Sequence, residues 1–139
     1  MINETLKSKA TYFRGHCLAR AKKEHHDKST IPMPKDIAAW IAQQLQVEKR
    51  KRFYFVCYLT GECVPVAKIE IDHKTPVARG GNYGLDNLAV TSKRMNCAKG
   101  TRTEEEFKQL LELITVWEDG GKSLLADLVR GAGAFGRYK

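Results

Sequence analysis

The segment that ends in Asp72-His73 places the tightest constraint on how this chain can fold. Ile69 and Ile71 alternate with polar residues, which is the pattern of a strand with one buried face. Glu70 and Asp72 then share the polar face. Because neighbouring residues of a regular strand point to opposite sides, Asp72 and His73 can serve one site only where the strand ends and the chain turns. We therefore predict a strand end at this pair.

A loop and a short helix are predicted to follow. Residues 76–86 are rich in glycine and predict a loop that closes at Asn87. Residues 91–99 predict a short helix, with the Thr or the Ser at its start as N-cap and Gly100 as its stop. Asn96 falls in the later part of this helix. We therefore expect Asn87 and Asn96 to lie near the strand end.

The rest of the chain predicts helices on both sides of a β-rich middle. Residues 5–24 form a basic helix, and Pro34 begins a second helix whose apolar spacing extends to Val47. Strands are expected over 53–57 and 64–71, and the alternation of the second strand includes an inward Ala67. The fold class is accordingly α+β.

Another helix is predicted to begin at Thr103, where Glu106 has capping-box spacing. Its end is expected at 119–121, and a further short helix over 123–130 precedes a basic, Gly-rich tail. We divide the chain into a basic helical extension (1–50), a core (51–118) and the short helix with the tail (119–139).

The net charge of +8 favours a polyanionic partner, and nucleic acid is the commonest one. Basic residues also cluster around the Asp-His pair, as phosphate neutralisation requires. The alternative for the run Lys49–Arg52 is a solvated helix end that complements the helix dipole. The basic residues around the pair are Arg79, Lys93, Arg94, Lys99 and Arg102.

Composition limits the remaining classes. No apolar run is long enough for a membrane span, and the N-terminus lacks the apolar stretch of a signal peptide, so a cytoplasmic protein without membrane contact is expected. Four cysteines include the pair Cys57 and Cys63, whose spacing is not that of a zinc knuckle. Structural zinc is therefore not expected. The oligomeric state stays open, with a monomer as one option.

Taken together, these segments resemble the HNH endonuclease family, over roughly residues 53–108. The resemblance implies a ββα-metal core flanked by helices, and a metal-dependent endonuclease of the kind often found in phage or mobile-element systems. Of the cysteines that bind structural zinc in many relatives, this chain keeps only Cys57, and Asn96 makes it an H-N-N variant. The matching segments are 57–62, 69–76, 79–81, 87–88 and 96–100.

Hydrolysis of a phosphodiester assigns roles to the motif residues. His73 suits a general base, since a neutral imidazole takes up a proton near neutral pH. Asp72 and Asn96 offer two hard oxygens, which favours one Mg²⁺ or Mn²⁺ ion over zinc. By resemblance, Asn87 supports catalysis by pinning the loop and orienting His73.

Further residues are assigned more peripheral roles. Lys99, Arg94, Arg79 and Lys93 are candidate ligands of DNA phosphates, and Glu70 is an auxiliary, water-mediated metal ligand. Two alternatives to a DNA endonuclease stay open. One is a DNA-binding module that keeps the fold without turnover, and the other is a nuclease that acts on RNA.

Overall fold

Two helices form the N-terminal part of the structure, a computed structural model that describes residues 2–115. Helix α1 spans Ile2–Glu24 and confirms the predicted basic helix. Helix α2 spans Pro34–Gln43, with its proline in the first turn as predicted. The helix end predicted at 119–121, the short helix over 123–130 and the tail lie outside the described residues.

Helix α2 is shorter than its apolar pattern predicts. The chain leaves the helix at Gln44, and strand β1 (Gln46–Val47) pairs antiparallel with strand β2 (Phe53–Val56). Val47 therefore belongs to a ladder opposite Phe53. The basic run Lys49–Arg52 lies in the connection between these strands, so its interpretation as a helix end was wrong.

The predicted single strand over 64–71 is two strands in two different sheets. Strand β3 (Cys63–Pro65) pairs with β2, and strand β4 (Ile69–His73) belongs to a separate sheet. The 3₁₀ turn Val66–Lys68 separates them. Since Pro65 has no N–H for a ladder bond, pairing stops there, and Ala67, which the alternation placed inside, is exposed.

The second sheet pairs β4 with a strand that the sequence did not predict. Strand β5 (Leu88–Ser92) runs antiparallel to β4, with Ile69 opposite Ser92 and His73 opposite Leu88. Helix α3 (Lys93–Lys99) follows directly. This order of strand, loop, strand and helix brings the start of α3 back beside the start of β4.

Both C-terminal helices begin with the predicted side-chain caps. The Ser92 hydroxyl accepts from the N–H of Met95 at 3.2 Å, and Gly100 ends α3 with a positive φ of 57°. Helix α4 spans Glu104–Thr115. Its capping box is confirmed, because the Thr103 N–H donates to the Glu106 carboxylate and the Glu106 N–H donates to the Thr103 hydroxyl.

One buried cluster joins the N-terminal helices to both sheets and to α3 and α4. Phe55 and Phe107 are fully buried in it. The other members include Leu6, Ala10, Ile37, Ile41, Ile69, Ile71, Val90 and Met95. The described part of the chain is thus of the α+β class. Among residues 2–115, no helix is both long and apolar enough to cross a membrane.

Candidate active site

A cleft of about 430 Å³ lies between the polar face of β4 and helix α1. Asp72 and His73 both line it, because His73 is the last residue of β4. Glu70 and Asn96 line the same cleft. The structure therefore brings together four of the residues singled out from the sequence. The α1 residues on the opposite wall are Lys9, Tyr12, Phe13, His16, Cys17 and Arg20.

Asp72 is held by two side chains from elsewhere in the protein. Its Oδ2 atom accepts a hydrogen bond from the Tyr58 hydroxyl and lies 3.0 Å from Nζ of Lys99. The side chain is 11% exposed, in contrast to the open polar face that the sequence predicts. Burial raises the pKa of the Asp72 carboxyl, although Tyr58 and Lys99 oppose this change.

Lys99 is fully buried, although the sequence singled it out as a phosphate ligand. Its ammonium donates to the backbone oxygen of His73 at 3.0 Å besides pairing with Asp72. Burial of a lysine without a partner charge is costly, and Asp72 supplies that charge. In this arrangement Lys99 ties helix α3 to the end of β4 and has its charge neutralised there.

His73 has its ring packed between two aromatic side chains. The ring centroid lies 5.3 Å from that of Phe13 and 5.7 Å from that of Tyr83. Its Nε2 atom is buried and has no hydrogen-bond partner within residues 2–115. Burial and, to a smaller extent, the cations of Arg20 and Lys99 together lower the pKa of His73 to about 4. The imidazole is therefore neutral at physiological pH.

Glu70 and Asn96 meet across the sheet–helix junction. Asn96 Nδ2 donates to Oε1 of Glu70 at 2.9 Å. Glu70 and Asp72 are two apart on β4 and so point to the same side. Their carboxylates and the Asn96 amide bring hard oxygen ligands to one wall of the cleft.

Asn87 closes the loop between β4 and β5. Its Oδ1 atom accepts from the Thr75 N–H at 3.0 Å, and its Nδ2 atom donates to the backbone oxygens of Thr75 and Asn82, each at 2.9 Å. The backbone N–H of Asn87 donates to the backbone oxygen of Gly84, and its backbone oxygen accepts from the N–H of Lys74. The side chain thus pins the loop that follows His73.

The loop passes so close to Asn87 that one position requires glycine. A Cβ atom on Gly81 would lie 1.8 Å from the backbone oxygen of Thr75 and 2.9 Å from Asn87 Nδ2. No side chain fits there without movement of the backbone. The Arg79-Gly80-Gly81 sequence is therefore a close crossing of two chain segments.

The other candidate phosphate ligands lie outside the cleft. The guanidinium of Arg79 pairs with the carboxylate of Glu106 on α4 and donates to Thr101 O at 3.4 Å. Lys93 and Arg94 are exposed in the first turn of α3. The charge of Arg79 is used to join the loop to α4, whereas Lys93 and Arg94 face solvent.

The side-chain oxygens around the cleft are of the type that hard cations bind. Within residues 2–115, however, no group of three or more His, Cys, Asp or Glu side chains is placed to hold a metal ion. Asp72 has Oδ2 engaged by protein, so Oδ1 is the oxygen that would bind a cation. With Asn96 and Glu70 it gives a sparse oxygen set, and Mg²⁺ and Mn²⁺ bind such sets with water completing the coordination.

The cysteines lie apart from this oxygen set, with one exception. Cys57 is buried and contacts the Thr91 hydroxyl at 3.3 Å, while Cys63 and Cys97 are exposed. Cys17 is buried at the α1 wall of the cleft. All four thiols are free, and burial raises the pKa of Cys17 to about 11.

Two parts of this site were missed from the sequence. Tyr58 reaches Asp72 from the turn after β2, and no local pattern links positions so far apart. Helix α1 was predicted as a helix, but its role as a wall of the cleft was not. The spacing of Lys9, His16 and Arg20, by three or four residues or their sums, could have indicated one helix face.

We compared the chain with known proteins and found no relative. No protein-family model, no curated protein and no solved structure matches the chain significantly.

Proposed function

We propose that this protein is a metal-dependent endonuclease that hydrolyses phosphodiester bonds of DNA. The observation that carries the proposal is the meeting of Asp72, His73 and Asn96 in one cleft. A turn at a strand end and a position on a helix surface account for each residue alone, but not for their convergence. The net charge of +8 supports a polyanionic substrate.

In this proposal the chain's own residues supply a base and its support. His73 is neutral at physiological pH, and the free lone pair of the ring can take a proton from the attacking water. Lys99 fixes the backbone of His73, and Asn87 fixes the loop after it. A divalent cation, when bound, would stabilise negative charge on the phosphate and on the leaving oxygen. Asp72, Asn96 and Glu70 are the residues that would hold it.

A DNA-binding module without turnover is the second candidate. The observation that favours this module is the ion pair between the buried Lys99 ammonium and Asp72, which lie 3.0 Å apart. A carboxylate that is satisfied inside the protein has less to gain from a metal ion. The two candidates share the DNA partner and differ in cleavage.

A plasmid relaxation assay tests the proposal. Wild type and the His73→Ala variant are compared in EDTA, Mg²⁺, Mn²⁺ and Zn²⁺. A matched control is His25→Ala, which removes an exposed histidine from the loop after α1. We expect nicking in Mg²⁺ or Mn²⁺ that EDTA and His73→Ala abolish and His25→Ala preserves.

Other results would reject the proposal in distinct ways. DNA binding without nicking in any metal points to the module without turnover. Nicking by His73→Ala at the wild-type rate rejects the assignment of the base. If an RNA strand is cut faster than DNA under the same conditions, the substrate is RNA.

A further inference from the structure

One face of α1 forms a cationic and aromatic wall opposite the candidate active site. Lys9, Tyr12, His16 and Arg20 follow one another at intervals of three or four residues, so they lie on one side of the helix. All four line the cleft. None of them is needed for the chemistry assigned to β4 and α3.

Two of these side chains are available to a ligand. Tyr12 is 72% exposed, the highest value among the exposed large apolar side chains of the described residues, and its ring contacts His16 edge-on with centroids 4.6 Å apart. The Arg20 side chain is exposed and makes no hydrogen bond or ion pair within residues 2–115. Lys9, by contrast, is held by the backbone oxygen of Ile69 at 3.0 Å.

The two walls of the cleft are complementary to a nucleotide strand. An exposed aromatic ring beside cations is the combination that binds unpaired bases by stacking and their phosphates by charge. The opposite wall carries the oxygen ligands and His73. A phosphate between the walls would meet Arg20 on one side and the proposed metal ligands on the other.

The size of the cleft favours one strand over two. Its volume of about 430 Å³ is in the range of pockets that enclose a small molecule. A single nucleotide is a ligand of this size, whereas a base pair with both of its sugar-phosphate backbones is larger. The α1 wall of the cleft is anchored in the core by Leu6 and Ala10, both essentially buried.

We propose that the cleft binds an unpaired DNA strand, with a base stacked on Tyr12 and the adjacent phosphate held by Arg20. The identity of the ligand as DNA rests on the proposed function. The structural feature itself is the juxtaposition of this helix face with Glu70, Asp72 and Asn96. The substrate class is therefore single-stranded or locally unpaired DNA.

Binding in EDTA tests this inference separately from cleavage. Fluorescence anisotropy measures the affinity of a labelled single-stranded oligonucleotide and of the duplex of the same length. We expect tighter binding of the single strand. Tyr12→Ala should weaken that binding by about tenfold or more through loss of base stacking, and Tyr12→Phe should retain it.

Matched controls separate the cleft from general effects. Phe53→Ala removes a 41% exposed aromatic ring outside the cleft and should leave affinity unchanged. Arg20→Ala should weaken binding more than Lys23→Ala, which removes the same charge from an exposed position of α1 outside the cleft. Far-UV circular dichroism checks that each variant keeps its helices.

Each contrary result has a defined meaning. Equal affinity for duplex and single strand, or equal loss for Tyr12→Ala and Phe53→Ala, overturns the inference. Tighter binding of an RNA strand overturns DNA as the ligand. If plasmid nicking occurs but Tyr12→Ala is neutral, the inference fails and the proposed function stands. If single-strand binding depends on Tyr12 but no metal supports nicking, the proposed hydrolysis fails and strand binding stands.

Discussion

Replacing Asn87 by alanine should remove the main internal support of the loop between β4 and β5. Its side chain makes three hydrogen bonds of 2.9–3.0 Å to the backbone of Thr75 and Asn82. The residue is only 8% exposed. Water therefore cannot readily replace the lost amide, and the backbone groups that it binds would stay unsatisfied.

The size of the effect follows from these contacts. A hydrogen bond contributes about 1 kcal/mol net, so three bonds correspond to a loss of about 3 kcal/mol in the free energy of unfolding. That is a large part of the stability of a small domain. Because the loop follows His73 directly, we also expect proposed nicking activity to fall by about 10- to 100-fold.

Equilibrium unfolding in urea, followed by circular dichroism, measures the loss. Asn82→Ala is the matched control, because it removes one hydrogen bond, to Gly84 N at 2.8 Å, from an exposed side chain. It should cost about 1 kcal/mol or less. If Asn87→Ala costs no more than Asn82→Ala at an unchanged urea slope, the loop does not depend on this amide.

Three further predictions concern other residues. Gly81→Ala should destabilise the protein strongly, because its Cβ would lie 1.8 Å from a backbone oxygen. Gly15→Ala, at an open position inside α1, should instead stabilise the protein by about 0.5–1 kcal/mol. Urea unfolding of both variants measures these changes. The unfolded chain protonates His73 near its ordinary pKa of 6.5 and the folded protein only near about 4, so the stability of the folded state should fall as pH falls through this window, by at most about 1.4 kcal/mol per pH unit. A similar decline in His73→Gln would refute that cause. A thiol reagent at neutral pH should label the exposed Cys63 well before Cys17, whose pKa is about 11; equal rates would contradict the burial of Cys17.

Local hydrogen-bond motifs were predictable because all their atoms come from a few neighbouring residues. The capping box of Thr103 and Glu106, the Ser92 cap and the Gly100 stop are all present as predicted. Each depends on side chains within one helical turn. The end of β4 at Asp72-His73 was predictable for a similar reason, because two adjacent residues can face one site only where a strand ends.

Features set by distant contacts were not predictable in the same way. Strand β5 was missed because Leu88–Ser92 is buried on both faces and so shows no alternation. The buried state of Lys99 was missed because its partner charge, Asp72, arrives through the packing of α3 on β4. A lysine in the last turn of a helix is normally exposed to solvent, and only the tertiary structure shows that Lys99 is buried.

Because α1 is one continuous helix, the side of it on which a residue lies depends on its position in the helical repeat. Lys9 and Arg20 are separated by three turns, or about 17 Å of helix. Deletion or insertion of a single residue between them would rotate everything beyond it by about 100° and turn Arg20 away from His73 without changing the charge of the helix. Evolution can therefore exchange side chains along this wall one at a time, but it can change the length of the helix there only by whole turns.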